Sequence, residues 1–348
     1  MNWYREKAAS INLDFKAQAQ NHQAVLTKPA GSLGLLEDVA IQFSAMQSQA
    51  KPKVDKIHIT IFAADHGVMD ENVSAFPQVV TAEMIRNFSR GGAAISVLAQ
   101  QTDATLDVIN LGTINELEPL EGVVSKRIAS ATSNFSKQAA MSKEQCMQAL
   151  LVGRDVIEKA IKNKVDVFIG GDMGIGNTTT STALACALLE RPVEELVGPG
   201  TGVDKKGLEH KENIIKQALA LHQKENNDAF SILANLGGFE IVALVGSYIR
   251  AAQLGLPCII DGFITSVAAL FANELCVGAK DWFVYSHQSA EPGHAIVLNA
   301  LKAQPLLHLN MRLGEASAAA NSISLIKNAL ALHNNMATFE QAGVSEKA

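Results

Sequence analysis

The chain has 348 residues, of which 48% are hydrophobic and 18% charged, with a net charge of −6 at pH 7. That length accommodates one large domain or two around a substantial core, and the composition is that of a soluble, enzyme-like globular protein, not a disordered one. No basic run offsets the negative charge, which excludes nucleic acid as an expected partner, because phosphate-backbone binding draws on clustered Lys and Arg. An anionic small ligand would have to be held by local dipoles and one or two placed cations. Cys146, Cys186, Cys258 and Cys276 are scattered without a C-x-x-C spacing, so buried, reduced thiols are expected and neither a zinc site nor a disulfide framework. The N-terminus lacks the apolar core of a signal peptide and no run of roughly 18 apolar residues occurs, so the cytoplasm is the expected location and no membrane partner is expected.

After a polar start expected to be helical, apolar runs alternate with helical patterns. Expected strands are IHITIFAA (57–64), TLDVINLG (105–112), VDVFIG (165–170), FSILANLG (230–237), PCIIDGF (257–263) and WFVYS (282–286). Expected helices lie at 91–101, 143–161, 180–190, 208–223, 239–255 and 264–276, followed by a helical tail from Glu315 to His333. This alternation predicts an α/β fold, a doubly wound, mostly parallel sheet with helices on both faces. The helical tail and the helical N-terminus are expected to pack together as a small subdomain.

The segment GGDMGIGNTTTS (170–181) follows the third expected strand. A strand, a glycine turn and a hydroxyl-rich helix start make an anion cradle. The glycines allow a sharp turn and close approach, and the helix from about Asn177 aims free N–H groups and its dipole at the charge. The spacing matches neither a P-loop, which needs a Lys after the glycines, nor the G-x-G-x-x-G dinucleotide fingerprint. Alone, the segment reads equally as a tight turn with an N-cap at Asn177 and no ligand. Similar turns follow four of the other five expected strands: ADHG (64–67), GGFE (237–240), DGF (261–263) and SHQSAEPGH (286–294), with a separate glycine-rich loop, VGPGTGVD, at 197–204. Ligands in such sheets sit beyond the carboxyl ends of the strands, so these turns predict a common cleft.

Together these segments resemble the nicotinate-nucleotide–dimethylbenzimidazole phosphoribosyltransferase family, which makes α-ribazole phosphate for the lower ligand of cobalamin. The resemblance rests on KPAGSLGLLEDVA (28–40), FAADHGV (62–68), GGDMGIGNTTTSTAL (170–184), GPGTGVD (198–204), GGFEIVALVG (237–246), DGFITSVAAL (261–270), SHQSAEPGH (286–294) and LNMRLGEASAAA (309–320), and covers nearly the whole chain. It implies a large α/β domain at 30–310, a small helical domain from 1–29 and 311–348, and a homodimer. The implied reaction joins 5,6-dimethylbenzimidazole to the ribose of nicotinate mononucleotide and releases nicotinate, inverting C1′ through an oxocarbenium-like state. These two small molecules are the implied partners, and no metal or cofactor is demanded.

The resemblance makes Glu315, in RLGEASAAA, the general base. Apolar neighbours such as Leu313 would raise its pKa and suit it to that role near neutral pH, whereas its position alone would make it a helix-start Glu complementing the dipole. Asp172, where the family also uses Glu, is the second carboxylate, placed to stabilise the oxocarbenium ion or to be a plain turn residue. Phosphate and ribose are assigned to Gly174, Gly176, Asn177, Thr178 and Thr179, to Gly200, Thr201 and Gly202, and to Lys211 as a point charge, with Ser289, Ala290 and Glu291 closing over them. The acceptor base is assigned to Met69, Phe76, Pro77, Gln78, Arg86, Met173 and Leu313. Asp65 and His66 are expected to order their loop through hydrogen bonds. Two alternatives stand beside this reading: a nucleotide hydrolase, disfavoured by the apolar residues near Glu315, and a non-catalytic nucleotide-binding protein, disfavoured by Glu315 itself.

Overall fold

The computed structural model describes residues 2–200, 202–222 and 228–345. Strands β1 (Ile57–Ala64), β2 (Thr105–Gly112), β3 (Val123–Ser125), β4 (Val167–Met173), β5 (Cys258–Ile260) and β6 (Phe283–Tyr285) form one sheet in the order β3-β2-β1-β4-β5-β6. Every pairing is parallel. The chain winds outward from β1 to β3, returns to the far side of β1 as β4, and winds outward again to β6. This is the doubly wound arrangement, and its order reverses between β1 and β4, where such sheets open a crevice. Both of these strands are buried along their whole length, as strands covered on both faces must be.

The α-helices among the described residues are α1 (Leu13–Val25), α2 (Leu35–Gln47), α3 (Val79–Ser89), α4 (Ala94–Gln101), α5 (Lys143–Lys162), α6 (Asn177–Leu189), α7 (Val193–Leu196), α8 (Lys205–His222), α9 (Ala229–Leu236), α10 (Phe239–Leu254), α11 (Phe263–Leu275), α12 (Pro292–Leu301), α13 (Ser317–Asn335) and α14 (Phe339–Ala342). Two glycines let α5 and α10 cross closely. A Cβ on Gly153 would lie 1.9 Å from the Ala243 carbonyl oxygen, and one on Gly246 would lie 2.2 Å from that of Leu150. At the chain ends, α1 and α13 both pack on α2. They are tied to each other where His22 Nε2 meets the His333 carbonyl at 2.8 Å and Gln23 Nε2 meets His333 Nδ1 at 2.9 Å.

One expected strand is a helix. Residues 230–237 lie in and just past α9, whose eight residues are all buried. A short apolar run bounded by a glycine fits a buried helix as well as a buried strand. Here the side chain of Asp228 decides, accepting the Ser231 N–H at 2.8 Å as an N-cap. The sixth strand is instead the short edge strand β3. The third expected strand runs on to Met173, so Gly171 and Asp172 belong to β4 and the turn proper starts at Gly174. The four cysteines are free and buried.

Candidate active site

A cavity of about 370 Å³ opens beyond the carboxyl ends of β4, β5 and β6. Asp172, Met173, Gly174, Asn177, Thr178, Gly200, Ser289, Glu291, Leu313, Glu315 and Phe76 line it. These residues come from five separate stretches of the chain, which the strand ends and the start of α13 bring together. Thr201 lies outside the described residues.

Glu315 sits on an unusual turn. Gly314, Glu315 and Ala316 have φ of 82°, 58° and 61°, three consecutive left-handed residues directly before α13. For Glu and Ala that conformation costs on the order of 1 kcal/mol each, and such strain gathers where a side chain must be held in one place. Burial pushes the Glu315 carboxyl up to about 7. Asp172, at the end of β4, is raised well above the usual carboxylate range by burial first, then by the charges of Asp261, Glu240 and Glu315, against the amide of Asn177 that donates to its Oδ1 at 3.0 Å. Asn177 is therefore the first residue of α6 and a partner of Asp172, while Gly176, with φ 102°, holds the N-cap position.

On the anion side, Lys211 is buried with its Nζ 3.0 Å from the Gly198 carbonyl and 3.1 Å from Thr178 Oγ1. Burial lowers it to about 8, and the neighbouring Glu291 partly opposes this. Glu291 is raised by burial and steadied by the charges of Lys211 and Arg312. A carboxylate is a poor partner for a phosphate but a good acceptor for ribose hydroxyls. Ser289 is fixed from behind, its N–H donating to His294 Nδ1 at 2.8 Å while His294 Nε2 meets Ser266 Oγ at 2.9 Å. Burial takes His294 down to about 3, so the ring stays neutral and keeps Nδ1 as an acceptor.

Several expected site residues stand back from the cavity. Gly176 packs on Met69, Thr179 is wholly buried in α6, and the Ala290 N–H is bound to the Met311 carbonyl. Gly202 lies in the exposed part of its loop. Gln78 donates its amide to the His66 carbonyl at 2.9 Å, and Pro77 precedes it outside the lining. Arg86 points outward and forks onto Glu118 at 2.9 and 2.8 Å, because α3 turns that face away from the cleft. Asp65 accepts the Ile114 N–H at 2.8 Å, and His66 bridges Glu240 (2.7 Å) and Thr180 (2.9 Å), so both order the loop after β1.

The apolar wall has members that sequence reasoning missed: Val80, Met84, Ile175, Phe263 and Ile264, with His287 and Arg312 at its polar edges. Val80 and Met84 stand four residues apart in α3 and so share one helical face, a signal present in the sequence, while Phe76 reaches the same wall from the bend before the helix. Among the described residues, no group of three or more His, Cys, Asp or Glu is arranged to hold a metal ion, and no helix is long and apolar enough to cross a membrane.

A family model described as phosphoribosyltransferase matches residues 8–344. The nicotinate-nucleotide–dimethylbenzimidazole phosphoribosyltransferase of Pseudomonas aeruginosa (strain UCBPP-PA14) is 50% identical over 347 residues, covering 100% of this chain and 99% of the relative. That of Pseudomonas fluorescens (strain SBW25) is 50% identical over 345 residues, covering 99% and 98%. The crystal structure of CobT from Thermus thermophilus matches with a TM-score of 0.92 at 40% identity, over 96% of this chain and 100% of that one. With the whole chain matched in sequence and the doubly wound sheet matched in structure, this protein belongs to the nicotinate-nucleotide–dimethylbenzimidazole phosphoribosyltransferase family.

Proposed function

We propose that this enzyme moves the 5-phosphoribosyl group of nicotinate mononucleotide to 5,6-dimethylbenzimidazole, giving α-ribazole 5′-phosphate and nicotinate for the nucleotide loop of cobalamin. The observation that carries this reading is one cavity holding a buried carboxylate of raised pKa, Glu315, between an apolar wall and a polar loop region that Lys211 backs. A benzimidazole needs the wall, a phosphate needs the cation, and the proton lost on N-glycosylation needs the carboxylate.

In this reading one benzimidazole nitrogen attacks C1′ from the face opposite nicotinate. The C1′–N bond breaks and its electron pair leaves with nicotinate, neutralising the pyridinium. The N–H proton of the other benzimidazole nitrogen passes to Glu315. Asp172, which burial and the neighbouring carboxylates favour in its neutral form, lends the dipole of its carboxyl beside the ribose as positive charge grows at C1′. Thr178, Gly200 and Lys211 take the phosphate, Ser289 and Glu291 the ribose edge, and Phe76, Met173 and Leu313 with Val80 and Met84 the acceptor base. Of the residues expected for the base, Met69, Pro77, Gln78 and Arg86 support that wall from outside.

In the same reading the enzyme is a homodimer with a small helical domain from the chain ends, acting in the cytoplasm. The exposed apolar side chains of Phe76 and Leu313 at the cavity (49% and 56% exposed) support a covered mouth.

Chromatography of nicotinate mononucleotide incubated with the enzyme, with and without 5,6-dimethylbenzimidazole, tests the reading. Nicotinate and α-ribazole phosphate formed only with the base support the transferase. Nicotinate released without the base would make the enzyme a hydrolase, and no release at all would make the chain a binding protein.

A further inference from the structure

Asp261 takes no part in the reaction as drawn, yet it is buried directly after β5, in the DGF turn, with 1% of its surface exposed. Its Oδ1 accepts the N–H of Ala319, in the first turn of α13, at 2.7 Å. Burial pushes the Asp261 carboxyl up to about 7, and the N–H groups of Ala319, Ala318 and Ala316 oppose that rise. Helix starts are ordinarily capped by their own Ser, Thr, Asp or Asn, whose side chain accepts first-turn N–H groups. The N-cap of α13 is Ala316, left-handed and with no side chain to accept anything. A carboxylate from another part of the sheet fills that role.

The turn closed in this way is the one that carries Glu315. Its opposite side rests on β4, where Gly171 leaves room, since a Cβ there would lie 2.9 Å from both the Cβ and the N of Ala316. Within the turn, Ser317 donates through its N–H (3.0 Å) and its hydroxyl (2.7 Å) to the Gly314 carbonyl. The left-handed residues are thus clamped between a carboxylate and a strand.

We propose that Asp261 is a positioning residue for Glu315: by capping α13 from outside the helix it holds the left-handed turn that presents the Glu315 carboxylate to the cavity. The inference rests on the reading of Glu315 as the base, and its test separates the two.

Steady-state kinetics on the full-length wild type, Asp261→Leu, Glu315→Gln and the double variant provide that test. Leu is close to Asp261 in size and shape but has no acceptor for the Ala319 N–H, whereas Asn would keep a carbonyl oxygen able to accept it. Asp261→Leu is expected to lower kcat about 10²-fold, the scale of a displacement near 1 Å, with the donor KM close to wild type. The double variant is expected to be no slower than Glu315→Gln alone, because one effect acts through the other. A near-normal kcat for Asp261→Leu, or losses that multiply in the double variant, would overturn the inference alone. Normal turnover of Glu315→Gln would overturn the base and the inference with it. Melting curves check that Asp261→Leu folds. If it does not, Gly171→Ala displaces the same turn from the strand side and is expected to show the same kcat loss and the same lack of additivity with Glu315→Gln. Full activity of that variant, or multiplied losses, would sink the inference.

Discussion

The Nζ of Lys211 donates to Thr178 Oγ1 at 3.1 Å and to the Gly198 carbonyl at 3.0 Å, tying α8 to the start of α6 and to the glycine loop at once. Both of these hydrogen-bond partners are neutral, and the carboxyl of the neighbouring Glu291 is itself raised by burial, so the ammonium charge stays available to an anion. Replacing Lys211 by Met keeps the length and apolar bulk of the stem while removing the charge. A hydrogen bond to a charged group contributes about 1.5–3 kcal/mol, so the KM for nicotinate mononucleotide is expected to rise roughly 10- to 100-fold. The phosphate lies away from the bond that breaks, so kcat should change far less. A kcat loss with unchanged KM would remove Lys211 from the phosphate site.

The same lysine and Glu315 bound the pH range of the reaction. Glu315 must be ionised to take a proton, and burial holds it near 7, so kcat/KM is expected to fall as pH drops through about 7. Lys211 must be charged, and burial brings it to about 8, so the same parameter is expected to fall again as pH rises through about 8. A narrow bell is the expected profile of kcat/KM, which reports the free enzyme. In Lys211→Met the alkaline limb should vanish while the acid limb stays. An alkaline limb that survives in that variant would mean another group is responsible.

Much of this architecture is legible in the sequence. The long apolar strands β1 and β2 stand out because strands buried on both faces need continuous apolar residues, and the polar turns after the strands point to the cleft. Residues 230–237 show the limit of that logic, since an apolar run carries no periodicity to separate helix from strand and Asp228 decides the matter locally. The phosphate assignments are half visible for a similar reason: GNTTT reads as a row of hydroxyls, but a helix turns each by about 100°, so Thr178 faces the cavity while Thr179 and Thr180 face the core. Arg86 is misplaced by the same rotation of α3. Glu240 and Asp261 are invisible as partners because their contacts, to His66 and to Ala319, are 174 and 58 residues away in sequence.

Arg86 and Met84 give a paired test of where the acceptor binds. Met84 lines the cavity, and Arg86, two residues on, is engaged with Glu118 on the outside. Met84→Ala removes apolar surface from the wall and, at about 25 cal/mol per Å², is expected to raise the KM for 5,6-dimethylbenzimidazole several-fold with little change for the donor. Arg86→Ala is expected to change neither, because an exposed ion pair contributes about 1 kcal/mol or less and touches no substrate. Steady-state rates measured while donor and acceptor concentrations are varied independently tell the two variants apart. A strong acceptor effect from Arg86→Ala would mean α3 reorients when the base binds.

Glu315→Gln makes two measurements diverge. Turnover should fall by about 10²–10⁴-fold, the usual contribution of a positioned base, while nicotinate mononucleotide still binds. Stability should move the other way. An unfolded chain ionises this carboxyl near 4.5, whereas burial in the folded state holds the proton until about 7. Between those values the native state binds more protons than the unfolded one, so stability falls as pH rises through the window, and above about 7 the full penalty applies. Converted at about 1.36 kcal/mol per unit, it reaches at most about 3 kcal/mol. Gln cannot ionise and escapes this penalty. The variant is therefore expected to melt close to wild type at pH 5 and above it at pH 8, where the wild type holds a buried negative charge beside Asp172 and Asp261. Equal melting temperatures at both pH values would mean Glu315 ionises freely, and the acid limb of the rate profile would then belong to another group.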